Sequence, residues 1–251
     1  MNLKTFCIKT NIAYTEMKAD GGLFNKFYEI DNPNQCEIVT IPDGCIDIQF
    51  LWRSNVCEAY VCGSFLEGDV SHVSTCEKCF GVKFEPGVIP DFLKTHMADI
   101  IGRRYRLDSY ISIEGILAQL CQDAPLSVKR DVFVNGFHPT YAQSHEITKY
   151  VISAVRKNDG YLNVSELIDT LGYSHRYTDR IFKSSLGMSI KKYADIIRLQ
   201  QAIDMIRSGE DDNVYSRLGY YDQAHFIHKF KRFTSFTPMT YQRGIKNISI
   251  V

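Results

Sequence analysis

The sequence predicts an α+β protein of two domains, the first mainly β with some helices and the second all-α. Three observations lead to this division. The 29 Lys and Arg balance the 29 Asp and Glu overall, yet residues 143–251 hold 16 basic against 11 acidic side chains and the first 142 hold 13 against 18. All eight cysteines precede residue 122. The apolar residues change from partial alternation to a helical spacing between the two halves. We place the domains at 1–138 and 143–251.

The first half has the pattern of short strands. Residues 36–41 and 46–50 are rich in β-branched side chains and partly alternate, and the Pro-Asp-Gly sequence at 42–44 is typical of a turn between them. Further short apolar runs follow, separated by glycines. Several short strands with regular turns predict a small barrel or a sandwich. From about Pro90 the apolar spacing becomes helical, and we expect a linker or a hinge at 135–140.

The second half is expected to be helical throughout. Residues 147–155 carry an amphipathic stripe, which is typical of a helix packed on one side. Asn163 and, three positions later, Glu166 have the form of a capping box at the start of a short helix. Ser174 is expected to cap the next helix and Ser189 a longer one.

An internal repeat of 47 to 48 residues lies within this helical half. The Leu-Gly-Tyr sequence at 171–173 recurs at 218–220, and the Phe-Lys pair at 182–183 recurs at 230–231. Each copy has a short helix, a glycine turn and a longer basic helix, which is the pattern of a helix-turn-helix unit. We expect the glycines where a side chain would collide in the tight turn. One basic helix face is usually only a solvated surface, but two copies in register favour a pair of units that read the major groove of double-stranded DNA.

Side chains on the outer faces of the two longer helices are the candidate DNA contacts. Arg recognises guanine and Gln recognises adenine through paired hydrogen bonds, whereas Lys183, Lys231 and Arg232 are expected to hold phosphates. The outward positions of the first helix are His175, Arg176, Asp179, Arg180 and Lys183. Those of the second helix are Gln223, Ala224, His225, Ile227, His228 and Lys231. If both helices read one side of the DNA, they reach major grooves about 34 Å apart.

Residues 145–243 resemble the C-terminal DNA-binding domain of AraC/XylS-type regulators. The most specific segment is Leu-Gly-Tyr-Tyr-Asp-Gln-Ala-His-Phe at 218–226, continued by Phe-Lys-Arg-Phe-Thr at 230–234 and Thr-Pro-Met-Thr-Tyr at 237–241. The resemblance implies a seven-helix domain with two helix-turn-helix units. The base contacts that it implies are Arg176, Asp179, Arg180, Gln223, Ala224 and His228. The phosphate contacts that we predict beside them are Ser174, His175, Lys183, Lys231 and Arg232.

Three positions depart from the pattern of that family. Ser235 stands where a glycine is usual, so we expect its turn to be strained or reshaped. Thr178 replaces a usual leucine, which is expected to loosen the packing of the first recognition helix. His228 stands where arginine is frequent, which predicts weaker or pH-dependent binding by the second unit.

The N-terminal half resembles an uncharacterised domain that is attached to some AraC-type regulators. The matching residues are Pro-Asp-Gly-Cys-Ile-Asp at 42–47 and Gly-Val-Lys-Phe-Glu-Pro-Gly at 81–87. The resemblance implies a cupin-like β fold that senses an unknown small-molecule effector or mediates homodimerisation. Cys76 and Cys79 have the spacing of half a zinc site or of a redox pair, but no second pair matches, so buried structural thiols are favoured. We predict no catalytic residue, no metal ligand and no cofactor.

The sequence therefore predicts a cytoplasmic, effector-responsive regulator of transcription that binds double-stranded DNA, with RNA polymerase as a further candidate partner. No stretch approaches the roughly 18 apolar residues of a membrane helix, and the N-terminus lacks the apolar run of a signal peptide. Two alternatives stay open. One is an enzyme whose N-terminal β domain is directed to DNA by the helical half. The other is a ligand-independent structural protein that binds DNA with little sequence preference and a strong dependence on salt.

Overall fold

The computed structural model describes residues 3–9, 11–19, 22–93, 97–138, 141–142, 145–209, 214–244 and 248–250. Its strands are β1 (Phe6–Lys9), β2 (Ala13–Lys18), β3 (Phe24–Asp31), β4 (Val39–Thr40), β5 (Asp47–Arg53), β6 (Val56–Cys62), β7 (Asp69–Val70), β8 (Lys78–Phe84), β9 (Ile89–Pro90), β10 (Arg104–Arg106), β11 (Tyr141–Ala142) and β12 (Ile248–Ile250). Its helices are α1 (Met97–Ile100), α2 (Glu114–Leu117), α3 (Leu126–Gly136), α4 (Glu146–Lys157), α5 (Val164–Asp169), α6 (His175–Leu186), α7 (Ile190–Arg207), α8 (Val214–Arg217), α9 (Gln223–Thr234) and α10 (Pro238–Gly244).

Most of the described strands form two packed sheets, and β9 and β11 pair as a third sheet of two strands. The larger has the antiparallel order β10-β6-β5-β8-β3-β2 and the smaller has the order β12-β1-β4-β7. Alternate residues of β1 point in opposite directions, so Phe6 and Ile8 pack towards the larger sheet while Cys7 packs towards the C-terminal helices. Helices α2 and α3 cover the other face of the larger sheet. Of the barrel and the sandwich that the sequence left open, the described strands form a sandwich, because β10 and β2 end the larger sheet at opposite edges and do not pair with each other.

The predicted α+β class is confirmed, with sheets in the first half and helix-turn-helix pairs in the second. One finer prediction is wrong, and a second is wrong in part. The second half is not helical throughout, because β12 pairs antiparallel with β1, where Ile250 stands opposite Cys7. The linker expected at 135–140 begins inside a helix, since α3 extends to Gly136 and Phe137 is buried; residues 139–140 lie outside the described residues. No helix in the described part of the chain is long and apolar enough to cross a membrane.

Helix α7 lies in an apolar core to which both halves of the chain contribute. Its residues Ile196, Ile197 and Leu199 are fully buried. They belong to the same apolar cluster as Val39 and Ile41 of the smaller sheet and its following turn. Apolar surface removed from water in this way is the main stabilising contribution to folding. The sandwich and the C-terminal helices therefore pack on each other through a continuous apolar core.

Gln200 of α7 adds polar contacts inside this shared core. Its side chain is fully buried, and its Nε2 donates to the carbonyl oxygens of Lys4 and Pro42, each at 2.8 Å. Its Oε1 accepts from the N–H of Lys4 at 2.7 Å. A buried backbone group without a partner costs about 1–3 kcal/mol, so this one amide satisfies three groups that would otherwise be destabilising.

The turn at 42–44, whose Pro42 accepts a hydrogen bond from Gln200, is also held by a buried ionic cluster. Lys83 Nζ lies 2.6 Å from Asp43 Oδ2 and 2.6 Å from Asp47 Oδ1, and all three side chains are buried. Burial by itself lowers the pKa of the Lys83 ammonium, but the two carboxylates outweigh it and raise that pKa above its ordinary value. The ammonium therefore stays charged inside the protein. The adjoining cavity measures about 20 Å³, which is room for one water molecule.

Cys76 and Cys79 lie in the interior of the sandwich. Both thiols are fully buried. Burial raises the pKa of the Cys76 thiol to about 12 and that of Cys79 well above its ordinary value. Because the reactive form of cysteine is the thiolate, burial of this kind makes the two side chains inert. The expectation of buried structural thiols agrees with this arrangement.

We expect Gln200→Leu to lower the free energy of unfolding by about 2–4 kcal/mol, because three buried backbone groups of Lys4 and Pro42 lose their partner. Denaturant-induced unfolding measures this change. Gln201→Leu, at the next position of α7, is the matched control and should change stability by no more than about 0.5 kcal/mol. Equal losses in both variants would show that the amide contacts are unimportant.

Candidate nucleic-acid interface

Two helix pairs are attached to α7, one that precedes it in the chain and one that follows. The first pair is α5 and α6, joined by the turn at 170–174, and the second is α8 and α9, joined by the turn at 218–222. Helix α7 packs against α6 of the first pair and against α8 of the second. With 18 residues it is about 27 Å long. Both pairs are thus carried on one helical frame.

The turn inside each pair contains a glycine with a left-handed backbone. The φ angle is +70° at Gly172 and +66° at Gly219, a region that costs other residues about 1–2 kcal/mol. A Cβ at Gly219 would also collide with the ring of Tyr161, whereas one at Gly172 would meet nothing within 4 Å. The expected collision is therefore found at Gly219, and at Gly172 the backbone conformation alone favours glycine.

The longer helices α6 and α9 begin and end with matching caps. Ser174 Oγ accepts a hydrogen bond from the backbone N–H three residues on at 3.3 Å, and Asp222 Oδ1 accepts the equivalent bond at 2.7 Å. The C-terminal caps are Gly187 at φ +70° and Ser235 at φ +67°. The strain expected at Ser235 is confirmed, because this residue takes the left-handed conformation that favours glycine.

Helix α6 presents its predicted base contacts on its exposed side. Arg176 and Arg180 are both exposed and lie one turn apart. Asp179 Oδ2 pairs with Lys183 Nζ at 2.8 Å. The guanidinium carbon of Arg180 lies 5.3 Å from the ring centroid of Tyr177, at the distance of a cation–π contact. These contacts link neighbouring side chains within the helix, and both arginines remain exposed to solvent.

Two predicted phosphate contacts of the first unit lie at the start of α6, and the unusual Thr178 lies on its buried side. Ser174 and His175 are exposed at the start of α6, and His175 Nε2 lies 2.9 Å from Asp169 Oδ1 across the turn. Thr178 is fully buried, and its hydroxyl has no hydrogen-bond partner among the described residues. A buried hydroxyl without a partner is destabilising, so this departure from the family pattern weakens the first unit through its polar atom.

Helix α9 carries predicted contacts along one stripe. Ala224, His228 and Arg232 are exposed and follow one another at intervals of four residues, so they share one side of the helix. Gln223 is exposed in the first turn, and Lys231 is exposed in the last. The structure thus puts the predicted base contacts towards the start and middle of α9 and the predicted phosphate contacts towards its end.

Lys191, near the start of α7, is a candidate that the sequence reasoning missed. It is exposed and lines the groove beside Arg176 and Asp179 of α6. It also lines the groove that contains His225 of α9. A basic side chain between α6 and α9 would suit a phosphate if these two helices entered neighbouring major grooves. The repeat conceals this position, because Met239 stands at the equivalent place in the second copy.

Comparison with known proteins relates both halves of the chain to families. Residues 167–244 match the family model described as a helix-turn-helix domain, and residues 25–106 match a domain of unknown function, DUF6597. The chain is similar to an uncharacterised HTH-type transcriptional regulator of Haemophilus influenzae, with 22% identity over 105 residues that cover 41% of this chain and 35% of that protein. The chain therefore spans about a third of the length of this relative.

Two solved structures are similar to parts or most of the chain. One is the C-terminal domain of AraT, a response regulator of Geobacillus stearothermophilus, at 24% identity and a TM-score of 0.38, covering 41% of this chain and 88% of that one. The other is ToxT of Vibrio cholerae O395, at 11% identity and a TM-score of 0.41, covering 95% and 97%. The family match, the repeat and the two capped helix pairs agree that residues 167–244 form a helix-turn-helix domain.

Proposed function

We propose that this protein regulates transcription by sequence-specific binding to double-stranded DNA, and that its N-terminal half adjusts this binding in response to a small-molecule effector. The observation that carries the proposal is a pair of capped helix-turn-helix units on one helix, each with exposed polar side chains along its longer helix. The frame helix, about 27 Å long, is comparable with the spacing of about 34 Å between successive major grooves. Two such units on one frame suit a single side of the double helix.

The chemistry of the exposed side chains divides the contacts between bases and phosphates. The proposed base contacts are Arg176, Asp179, Arg180, Gln223, Ala224 and His228. Arginine suits guanine, glutamine suits adenine, and the alanine methyl suits the methyl group of thymine. The proposed phosphate contacts are Ser174, His175, Lys183, Lys231, Arg232 and Lys191. Ser174 and His175 stand at the start of α6, where backbone N–H groups favour an anion.

The N-terminal half is proposed to act on DNA binding through α7. The turn at 42–44 is held by Lys83 on one side and by Gln200 of α7 on the other. An effector that rearranged this turn would therefore change the contacts of the helix that carries both units. The cavity beside the cluster has room for one water, so an organic effector that bound at this place would require the sandwich to open.

The proposed roles are assigned to the two predicted domains. We assign sensing and dimerisation to 1–138 and DNA binding to 143–251. A homodimer, contact with RNA polymerase and a cytoplasmic location stay predictions. The family match supports a regulator over an enzyme that is directed to DNA. A ligand-independent structural protein is the alternative that the next experiment decides.

Selection of random duplex DNA by the full-length protein is expected to yield an asymmetric motif with two blocks about one helical turn apart. Arg180→Ala should lower the sequence preference in one block, and Gln223→Ala should lower it in the other. Each variant removes a side chain that forms two hydrogen bonds to one base, so each should reduce the discrimination against other bases by about 1–3 kcal/mol. Arg130→Ala, in α3 of the N-terminal half, is the matched control and should leave the motif unchanged. No motif, with binding lost uniformly as salt rises, would contradict sequence-specific reading and favour a structural DNA-binding protein.

Lys191→Gln is expected to weaken binding to all duplexes by a similar factor, since a phosphate contact carries no sequence information. Titrations over a series of salt concentrations should show a slope of log affinity against log salt that is shallower by about one. Lys18→Gln, an exposed lysine of β2, serves as the control for the loss of one positive charge. A changed motif with an unchanged slope would argue for base contact by Lys191 and against the phosphate role.

A further inference from the structure

The loop between β6 and β7 contacts the C-terminal end of α9, the longer helix of the second helix-turn-helix unit. The Glu67 carboxylate forms an ion pair with the guanidinium of Arg232. The N–H of Gly68 donates to the carbonyl oxygen of Arg232 at 3.1 Å. Leu66, just before them, packs against the apolar cluster around α7. The loop formed by residues 66–68 thus holds the last turn of α9 by charge, by a backbone hydrogen bond and by apolar contact.

The fit of this loop against α9 is close at Gly68. A Cβ at this position would collide with the carbonyl oxygen of Phe233 and lie 2.8 Å from its carbonyl carbon. Both are backbone atoms, which cannot turn away as the end of a flexible side chain can. The loop therefore sits directly on the helix end, and any larger side chain at Gly68 would push it away.

The position of Glu67 matters because of the charges around it. Its partner Arg232 lies on the same stripe of α9 as Ala224 and His228. The hydrogen bond from Arg232, together with the charges of Arg232 and Lys192, holds the pKa of the Glu67 carboxyl below its usual value. A carboxylate at this place cancels positive potential that an approaching phosphate would otherwise meet.

We propose that the loop 66–68 is an autoinhibitory latch on the second helix-turn-helix unit. Glu67 is ion-paired with Arg232, so a DNA phosphate binds this guanidinium only after the intramolecular ion pair has opened. An ion pair as exposed as this one adds little to the stability of the fold, and it therefore opens easily. The latch rests on the proposed function, because it takes Arg232 as a phosphate contact. Withdrawal of the loop by a change in the sandwich would give the second unit one more phosphate contact.

Glu67→Gln keeps the size of the side chain and removes its charge. In titrations of the full-length protein with the selected duplex and with an unrelated one, this variant is expected to bind both about two- to fivefold more tightly than the unmodified protein. The slope of log affinity against log salt should become steeper by about one, since Arg232 gains a phosphate. Glu37→Gln, exposed and in the same half of the chain, is the control for the general effect of one negative charge fewer.

Two further variants separate the latch from general repulsion. In an Arg232→Gln background, Glu67→Gln is expected to change the affinity no more than the Glu37 control does, because the carboxylate has no guanidinium to hold. Gly68→Ala changes no charge, and it should tighten DNA binding because the added Cβ pushes the loop off α9. Gly115→Ala, where a Cβ would meet nothing within 4 Å, is its matched control and should bind as the unmodified protein does.

The outcomes distinguish the latch from the function on which it rests. Equal affinities for Glu67→Gln and Glu37→Gln, in a protein that selects a two-block motif, would overturn the latch and leave the proposed function standing. A gain from Glu67→Gln that persists in full in the Arg232→Gln background would also overturn it, since Glu67 would then act by repulsion alone. No DNA binding by any variant would overturn the proposed function and the latch with it.

Discussion

Gln200, in the middle of α7, makes the contact on which the arrangement of the molecule depends. Its amide bonds to Lys4 and Pro42 from a helix face that is otherwise apolar. A polar group buried in such a place is tolerated only when its hydrogen bonds are made, so the position of α7 along the sandwich is restricted to the one that makes them. Because α7 also carries both helix-turn-helix units, the same contact sets the position of α6 and α9 relative to the N-terminal half.

The opposite charges of the two halves meet at their boundary. Arg232 pairs with Glu67, and Arg156 of α4 lies 3.4 Å from Glu85 of the sandwich. Part of the positive excess of the helical half is therefore neutralised within the molecule. The turn at 42–44 and the loop 66–68 touch the helical half at different places, α7 and the end of α9. A structural change in the sandwich thus has two separate routes to the helices that carry the proposed DNA contacts.

The helix-turn-helix half was predictable because its signals are local. Caps such as Ser174 and Asp222 and the glycine of each turn act within a few residues, and the repeat shows them twice. The contacts that join the halves were not predictable in the same way. Glu67 and Arg232 are 165 residues apart in the chain, and no sequence pattern links them. Strand β12 has three residues, too few for an alternation to be recognised, and it forms only because β1 offers a free edge.

If both halves fold as one unit around α7, a single experiment shows it. The only tryptophan of the chain, Trp52, is buried in β5 of the sandwich, whereas most helical residues belong to the second half. Denaturant-induced unfolding followed by Trp52 fluorescence reports on the first half, and far-ultraviolet circular dichroism reports mainly on the second. We expect the two curves to superimpose with one midpoint, as a shared core requires. Two separate midpoints, with the helices persisting after Trp52 is exposed or lost before it, would contradict the shared core.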